Sequence, residues 1–379
     1  MRRIAFALCL LLTLSLLLCL LATAKASYVQ SAPKSAPPET TAKAAVLLDA
    51  ATGEVLAQKN ANARLAMAST TKIMTALVVL EHLPLDRVVT VPTEAVGTEG
   101  STAYLYAGEQ ITVETLLYAL LLSSANDASV ALAVETAGSV ANFAALMNEK
   151  ASALELDDTH FCNPHGLHDE AHYTTAHDLA RLTAHALKNA DFAKIVSTPR
   201  HTAPQNGTGA TRLFRNHNRL LDSYQGAIGV KTGFTKAAGR CLVSAAEREG
   251  LTLVCVTLSC PDDWRDHTAL LDWGFSEYEC FSPTPSAPSL PVVGGTCKTV
   301  ALLPADTLSI TLPKEHGKIE CVAYLPRFLF GGFDAGKEVG KMIYYLNGVE
   351  IGRIPLVTAT ACAREDPLSF WARLKRIFQ

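Results

Sequence analysis

Ser69-Thr70-Thr71-Lys72 leads into Ile73-Met74-Thr75-Ala76-Leu77-Val78-Val79-Leu80, and the reading of this stretch decides the rest of the chain. The near-continuous apolar run is long enough to predict a buried helix. Residues three apart on a helix share a face, so the Ser69 hydroxyl is expected to meet the Lys72 amine. Ser69 would lie at the helix N-terminus, where free backbone N–H groups favour developing negative charge. A Ser-x-x-Lys alone is weak, because a chain this long holds roughly one by chance. Ser31-Ala32-Pro33-Lys34 also fits, but Pro33 denies that segment a helix. Two further motifs follow Ser69 in order: Ser124-Ala125-Asn126 and Lys231-Thr232-Gly233.

The bulk composition sets limits around these motifs. With 379 residues, 49% of them hydrophobic and 18% charged, the chain reads as globular and large enough for two domains. Arg2 and Arg3, an apolar run from Ile4 to Leu21, and the small residues Ala22, Ala24 and Ala26 have the layout of a secretory signal peptide over residues 1–26. Export is the expectation. The run is near the lower length limit for a membrane span, which favours cleavage over an uncleaved anchor. Leu18 before Cys19 argues against a lipid-attachment site. Removing residues 1–26 takes away Arg2, Arg3 and Lys25 and no acid, leaving 30 basic against 36 acidic side chains, a formal net charge of −6. That balance excludes nucleic acid as a partner by charge. Eight cysteines remain, an even number that permits disulfides in an exported protein. Cys241 and Cys255 fall in strand-like runs, where a buried thiol acts as a small hydrophobe. No CxxC pair points to zinc.

Residues 27–42 contain Pro33, Pro37 and Pro38 among Ser, Thr and Ala and read as a flexible linker. Ala45–Leu48 and Glu54–Ala57 around the turn-rich Asp49–Gly53 predict a hairpin. A second apolar helix over Thr112–Leu122 runs into the Ser124 motif, with a new helix starting near Asp127 as its N-cap. Helices continue to about Lys188, and strands are expected at 227–233, 241–245 and 251–258. Strands at both ends with helices between predict one sheet covered on both faces. After a helix over Asp263–Phe275, Pro283, Pro285, Pro288 and Pro291 precede short strand-like runs, which marks a smaller β-rich domain over 278–362. The tail 363–379 places Phe370, Trp371, Leu374, Ile377 and Phe378 at helical spacing among Arg373, Lys375 and Arg376, an interfacial membrane pattern.

On these residues the chain resembles the serine-type D-alanyl-D-alanine carboxypeptidases, the low-molecular-weight penicillin-binding proteins. The likeness covers about residues 43–360. Beyond the three motifs it includes Ala45–Glu54, Asn163-Pro164-His165-Gly166-Leu167 with His172–Ala176, and Ala238–Ser244 after Lys231–Thr235. The resemblance implies an α/β fold of penicillin-binding/β-lactamase type: an antiparallel sheet flanked by helices with an inserted helical region, over 43–277, plus the small β-rich domain. It implies hydrolysis of the terminal D-Ala-D-Ala bond of peptidoglycan stem peptides, covalent inhibition by β-lactams, no cofactor and no metal. It also implies attachment to the outer face of the cytoplasmic membrane through the C-terminal amphipathic helix.

Carried onto this sequence, the resemblance makes Ser69 the nucleophile and Lys72 the general base, its pKa lowered by burial and by Lys231. Ser124 relays the proton to the leaving amine. Asn126 holds the substrate's peptide group, Lys231, Thr232 and Gly233 form an edge strand for it, and the N–H groups of Ser69 and Phe234 make the oxyanion hole. One departure is His217, which stands where some members present an Arg to the substrate's terminal carboxylate. Arg215, Arg219 and Arg240 remain open for that role. The rival readings are a β-lactamase, a D,D-endopeptidase and a non-catalytic wall-binding protein. No Glu-x-x-Leu-Asn segment lies between Ser124 and Lys231, the Ser69–Ser124 interval leaves no room for a large inserted domain, and a binding module needs no nucleophile. His160, His165, His168, His172 and His177 invite a metal reading, but Pro164 and Gly166 interrupt any helix, and loop structure is the better account.

Overall fold

The run from Ile73 is helical because nothing in it breaks a helix and every side of it can be buried. A computed structural model describes residues 33–205, 210–286 and 288–365. They fall into two compact units, Lys34–Cys280 and a second that starts at Phe281. The signal peptide, residues 27–32 of the linker and the tail from 366 onward lie outside the described residues.

The first unit runs β1 (Ala44–Asp49), β2 (Val55–Lys59), a 3₁₀ turn (Ala68–Thr71), α1 (Lys72–His82), β3 (Val88–Thr90), β4 (Gln110–Thr112), α2 (Val113–Leu122), α3 (Asn126–Ala137) and α4 (Val140–Ala153). It continues with α5 (Ala176–Ala186), α6 (Ala190–Val196), β5 (Arg200–Pro204), β6 (Thr211–Arg215), α7 (Leu220–Ser223), β7 (Ala227–Thr235), β8 (Gly239–Arg248), β9 (Leu251–Leu258) and α8 (Asp263–Glu277). Five strands form one antiparallel sheet in the order β2-β1-β9-β8-β7, so the two ends of the unit meet at β1 and β9, as the strand pattern predicted. The period of two sorts β8 between two cores. Cys241, Val243 and Ala245 face the helices around α1, whereas Leu242 and Ala246 face α8. Ile73, Met74, Ala76, Leu77, Val78 and Val79 are all at most 2% exposed. At about 1.5–3 kcal/mol per large apolar side chain, α1 is firmly held, and with it whatever its first turn carries.

Three expectations shift. Asp127 does not cap α3; Ala125 occupies the N-cap position without a side-chain bond, and Asp127 lies in the first turn. Ser69 belongs to the 3₁₀ turn, and the α-helix proper starts at Lys72. Residues 34–42 are no loose linker: Lys34 and Ser35 N–H groups and the Ser35 hydroxyl donate to Glu277, Thr41 donates to Asp266, and Trp273 Nε1 donates to the Ser35 carbonyl. Carboxylates on α8 thus hold a segment whose composition signals mobility.

In the second unit Ile319–Tyr324, Glu338–Leu346, Val349–Thr358, Thr299–Pro304, Ser289–Val293 and Leu329–Phe330 form a sheet in that spatial order, with a parallel pairing only between the last two. Leu290, Val300, Leu302, Phe333 and Leu356 make its core. Cys297 and Cys362 form a disulfide, while Cys162, Cys241, Cys255, Cys260 and Cys321 are free thiols.

Candidate active site

The i to i+3 relation survives the 3₁₀ start: Lys72 Nζ lies 3.0 Å from Ser69 Oγ. Lys72 is fully buried, and its amine donates to Asn126 Oδ1 and to the His165 carbonyl, each at 2.7 Å. Burial first, then the charge of Lys231, hold the Lys72 pKa well below that of a free lysine, with the Asp127 carboxylate opposing. A neutral amine has two N–H groups and one lone pair. Once deprotonated, Lys72 would give its two N–H groups to Asn126 and His165 and keep the lone pair for the Ser69 hydroxyl.

The His165 carbonyl is held there by its own segment. Thr75 Oγ1 donates to the Pro164 carbonyl at 2.7 Å, and the Asn163 side chain accepts from the N–H groups of His165 and Gly166. Gly166 has φ +87°, and a Cβ on it would lie 1.9 Å from the Ala68 carbonyl oxygen, so only glycine lets this loop press on the Ser69 turn. His172 fastens the same turn from below. Its Nδ1 accepts from the Cys162 N–H at 2.9 Å, so its Nε2 carries the proton and donates to Thr71 Oγ1 at 2.8 Å; Thr71 in turn donates to the Ala68 carbonyl at 2.7 Å. Burial pushes the His172 pKa down to about 4, in keeping with a neutral ring. His165 and His172, grouped in the sequence with three other histidines, thus serve the turn and its loop.

Ser124 follows α2 in the left-handed region at φ +59°, a conformation that costs a non-glycine residue about 1 kcal/mol or more. Asn126 is fixed at both ends of its amide: Nδ2 donates to the Glu99 carbonyl, which turns Oδ1 toward Lys72. The buried Asp127 carboxylate accepts from the N–H groups of Ala103 and Leu105 and from Thr102 Oγ1 at 2.6 Å. It ties the 102–105 segment to the start of α3.

Lys231 is 1% exposed on β7, donates to the Thr232 carbonyl at 2.8 Å and has its pKa lowered by burial. A Cβ on Gly233 would lie 3.0 Å from the Ser69 nitrogen, so this position lets the edge strand run against the Ser69 turn. Ser69, Ser124, Thr232, Gly233 and Phe234 open into one cleft of about 630 Å³, whose wall also carries Arg215, His217, Arg219 and Arg240. All eight site residues expected from the sequence therefore converge. Arg240 is the best anchored of the cations: it donates to Asp263 at 2.8 Å and stacks over Trp264.

A family model for D-alanyl-D-alanine carboxypeptidase matches residues 30–262. The chain belongs to that family. A second model, the C-terminal domain of penicillin-binding protein 5, matches residues 286–364. D-alanyl-D-alanine carboxypeptidase DacF of Bacillus subtilis is 33% identical over 86% of this chain and 85% of its own length. A D-alanyl-D-alanine carboxypeptidase of Streptomyces sp. strain K15 is 40% identical over 59% of this chain and 84% of its own. The crystal structure of penicillin-binding protein 5 from Haemophilus influenzae superposes with a TM-score of 0.70 at 30% identity, covering 87% of this chain and all of that one. The chain is a serine-type D-alanyl-D-alanine carboxypeptidase of the penicillin-binding protein fold.

The groups that sequence reasoning missed are mostly backbone atoms. The carbonyls of His165 and Glu99 orient Lys72 and Asn126, and no side-chain pattern announces them. Gly166 was visible as a glycine between two motif residues, though its reason, the Ala68 carbonyl, was not.

Proposed function

We propose that this enzyme cleaves the terminal D-Ala-D-Ala bond of peptidoglycan stem peptides through an acyl-enzyme on Ser69. The observation that carries the reading is the buried Lys72 amine, its pKa held well below that of a free lysine, 3.0 Å from the Ser69 hydroxyl. Lys72 takes the Ser69 proton as Oγ bonds to the carbonyl carbon, the N–H groups of Ser69 and Phe234 hold the oxyanion, and the C–N bond breaks. Ser124 passes the proton to the departing D-alanine, and water then cleaves the ester. Asn126 holds the substrate's peptide group, and β7, an edge strand, pairs with its backbone through Lys231, Thr232 and Gly233.

For the terminal carboxylate the geometry favours Arg240. It stands opposite Phe234 on β8, on the face that Thr232 shares, and Asp263 and Trp264 fix its direction. That leaves His217 as a neighbour whose protonation is disfavoured by burial and then by Lys231. A β-lactam, a strained amide in the same shape, acylates Ser69. The enzyme works outside the cytoplasm, with residues 363–379 holding it at the outer face of the cytoplasmic membrane.

Intact-mass analysis after incubation with penicillin tests the core of this reading. One adduct is expected, absent in Ser69→Ala together with D-alanine release from a pentapeptide ending in D-Ala-D-Ala. An adduct that persists in Ser69→Ala, or maps to Ser31, overturns the assignment.

A further inference from the structure

In the second unit, Phe328 and Phe330 stand out from the sheet. They are 43% and 68% exposed, with ring centroids 5.2 Å apart in an edge-to-face pair, and Arg327 beside them is exposed as well. Val293, the register partner of Phe330, is 48% exposed. The alternation explains the ridge: Leu329 turns inward to the core that holds Leu290 and Phe333, so its two neighbours turn outward. Folding leaves these rings in water, and an exposed aromatic cluster rimmed by a basic residue marks a contact surface.

The path of the chain says which contact. Gly331 N–H donates to the Val293 carbonyl, Gly332 and Phe333 N–H groups donate to the Cys362 carbonyl, and Glu365 N–H donates to the Gly294 carbonyl. Arg364 Cβ lies 3.7 Å from the position of a Cβ on Gly332. The Cys297–Cys362 disulfide fastens this root. Glu365, the last described residue, therefore lies beside the strand pair that carries the aromatic ridge, and the sequence that follows it holds Phe370, Trp371, Leu374, Ile377 and Phe378 among Arg373, Lys375 and Arg376.

We infer that the Arg327–Phe330 ridge is a second lipid-contacting element, inserting its two rings into an anionic membrane surface beside the tail. This rests on the tail's membrane role proposed above. Two short contacts rooted side by side bind as one: the tail alone is a modest anchor, and the ridge raises its occupancy while fixing the orientation of the unit that bears it. Aromatic rings suit the headgroup level, and Arg327 and Arg364 meet anionic lipid there.

The test is sedimentation of residues 27–379 with vesicles of equal phosphatidylglycerol and phosphatidylcholine, and with phosphatidylcholine alone. Replacing both Phe328 and Phe330 by Ser should weaken partition onto the anionic vesicles about tenfold, as expected for losing two interfacial rings. Residues 27–365 should keep a weaker partition that the same double substitution removes. D-alanine release should stay within twofold throughout and the circular-dichroism spectrum should be unchanged, which together show that both units of the variants are folded. If the double variant binds like the unaltered protein, the ridge inference falls and the tail reading stands. Tighter binding by residues 27–365 than by residues 27–379 overturns it too, since the ridge would then be the tail's own seat. If neither length binds, both the ridge and the tail reading fall.

Discussion

Two buried polar clusters lie on opposite faces of the same sheet. On one face Lys72 is fully enclosed with Ser69, Asn126 and the His165 carbonyl. On the other His267 of α8 is equally enclosed, its Nδ1 2.6 Å from Ser244 Oγ on β8 and its Nε2 2.9 Å from Thr257 Oγ1 on β9. Burial pushes both groups toward their neutral forms, His267 down to about 3. The clusters differ in what is left over. His267 has one donor and one acceptor, both spent on hydroxyls, and no opening. Deprotonated, Lys72 would have two donors spent on carbonyls and a lone pair left for a hydroxyl that opens into the cleft. Burial perturbs both groups; only the unspent valence suits one of them to the proposed chemistry.

The largest effect should come from removing that valence. Lys72→Arg keeps a basic group of similar length, but a guanidinium does not deprotonate in proteins and so offers no lone pair. Penicillin acylation at neutral pH should fall roughly 10²- to 10⁴-fold, the usual contribution of a general base. A stopped-flow acylation rate within tenfold of the unaltered enzyme would move the base elsewhere, with Lys231 the first group to examine.

The other face should respond in stability and not in rate. His267→Gln removes a ring that satisfies two buried hydroxyls, and leaving one of them unpaired costs about 2 kcal/mol. Urea unfolding should register that loss, while the acylation rate of the folded protein stays within twofold. A large change in acylation would mean the two faces communicate through β8, and the comparison would fail.

What was legible in the sequence follows the same division. Ser69, Lys72, Ser124, Asn126 and Lys231 stand at short spacings within their motifs, so local reading could group the residues that the fold brings together, and strands at both ends with helices between gave the sheet. Asp127 was misread as a cap because Asp before a helix is the commonest such signal, whereas its real partners, the Ala103 and Leu105 N–H groups, lie more than twenty positions earlier. Residues 34–42 were misread because proline-rich composition reports local stiffness and polarity and is silent about Glu277 and Asp266, over two hundred positions on. The Cys297–Cys362 pair was lost among eight cysteines for the same reason. Long-range hydrogen bonds to backbone atoms have no sequence signature.

The smallest effect separates the faces by proton count. His267, His165 and His172 have native pKa values near 3, 4 and 4, against an ordinary 6.5, with burial the first cause in each. Below pH 6.5 the unfolded chain therefore takes up protons that the native chain does not. Stability is fully present above that pH and is lost as pH falls toward the native values. Between pH 7.5 and 5.5 each histidine should account for about 1.4 kcal/mol of that loss. Carboxylates complicate the total, so the difference between proteins is the clean quantity. His267→Gln should lose about 1.4 kcal/mol less than the unaltered protein over the same interval, because one proton-binding site has left the unfolded state. Equal losses would mean that His267 takes up its proton in the folded protein, and the cluster on that face would then be as open to chemistry as the one around Lys72.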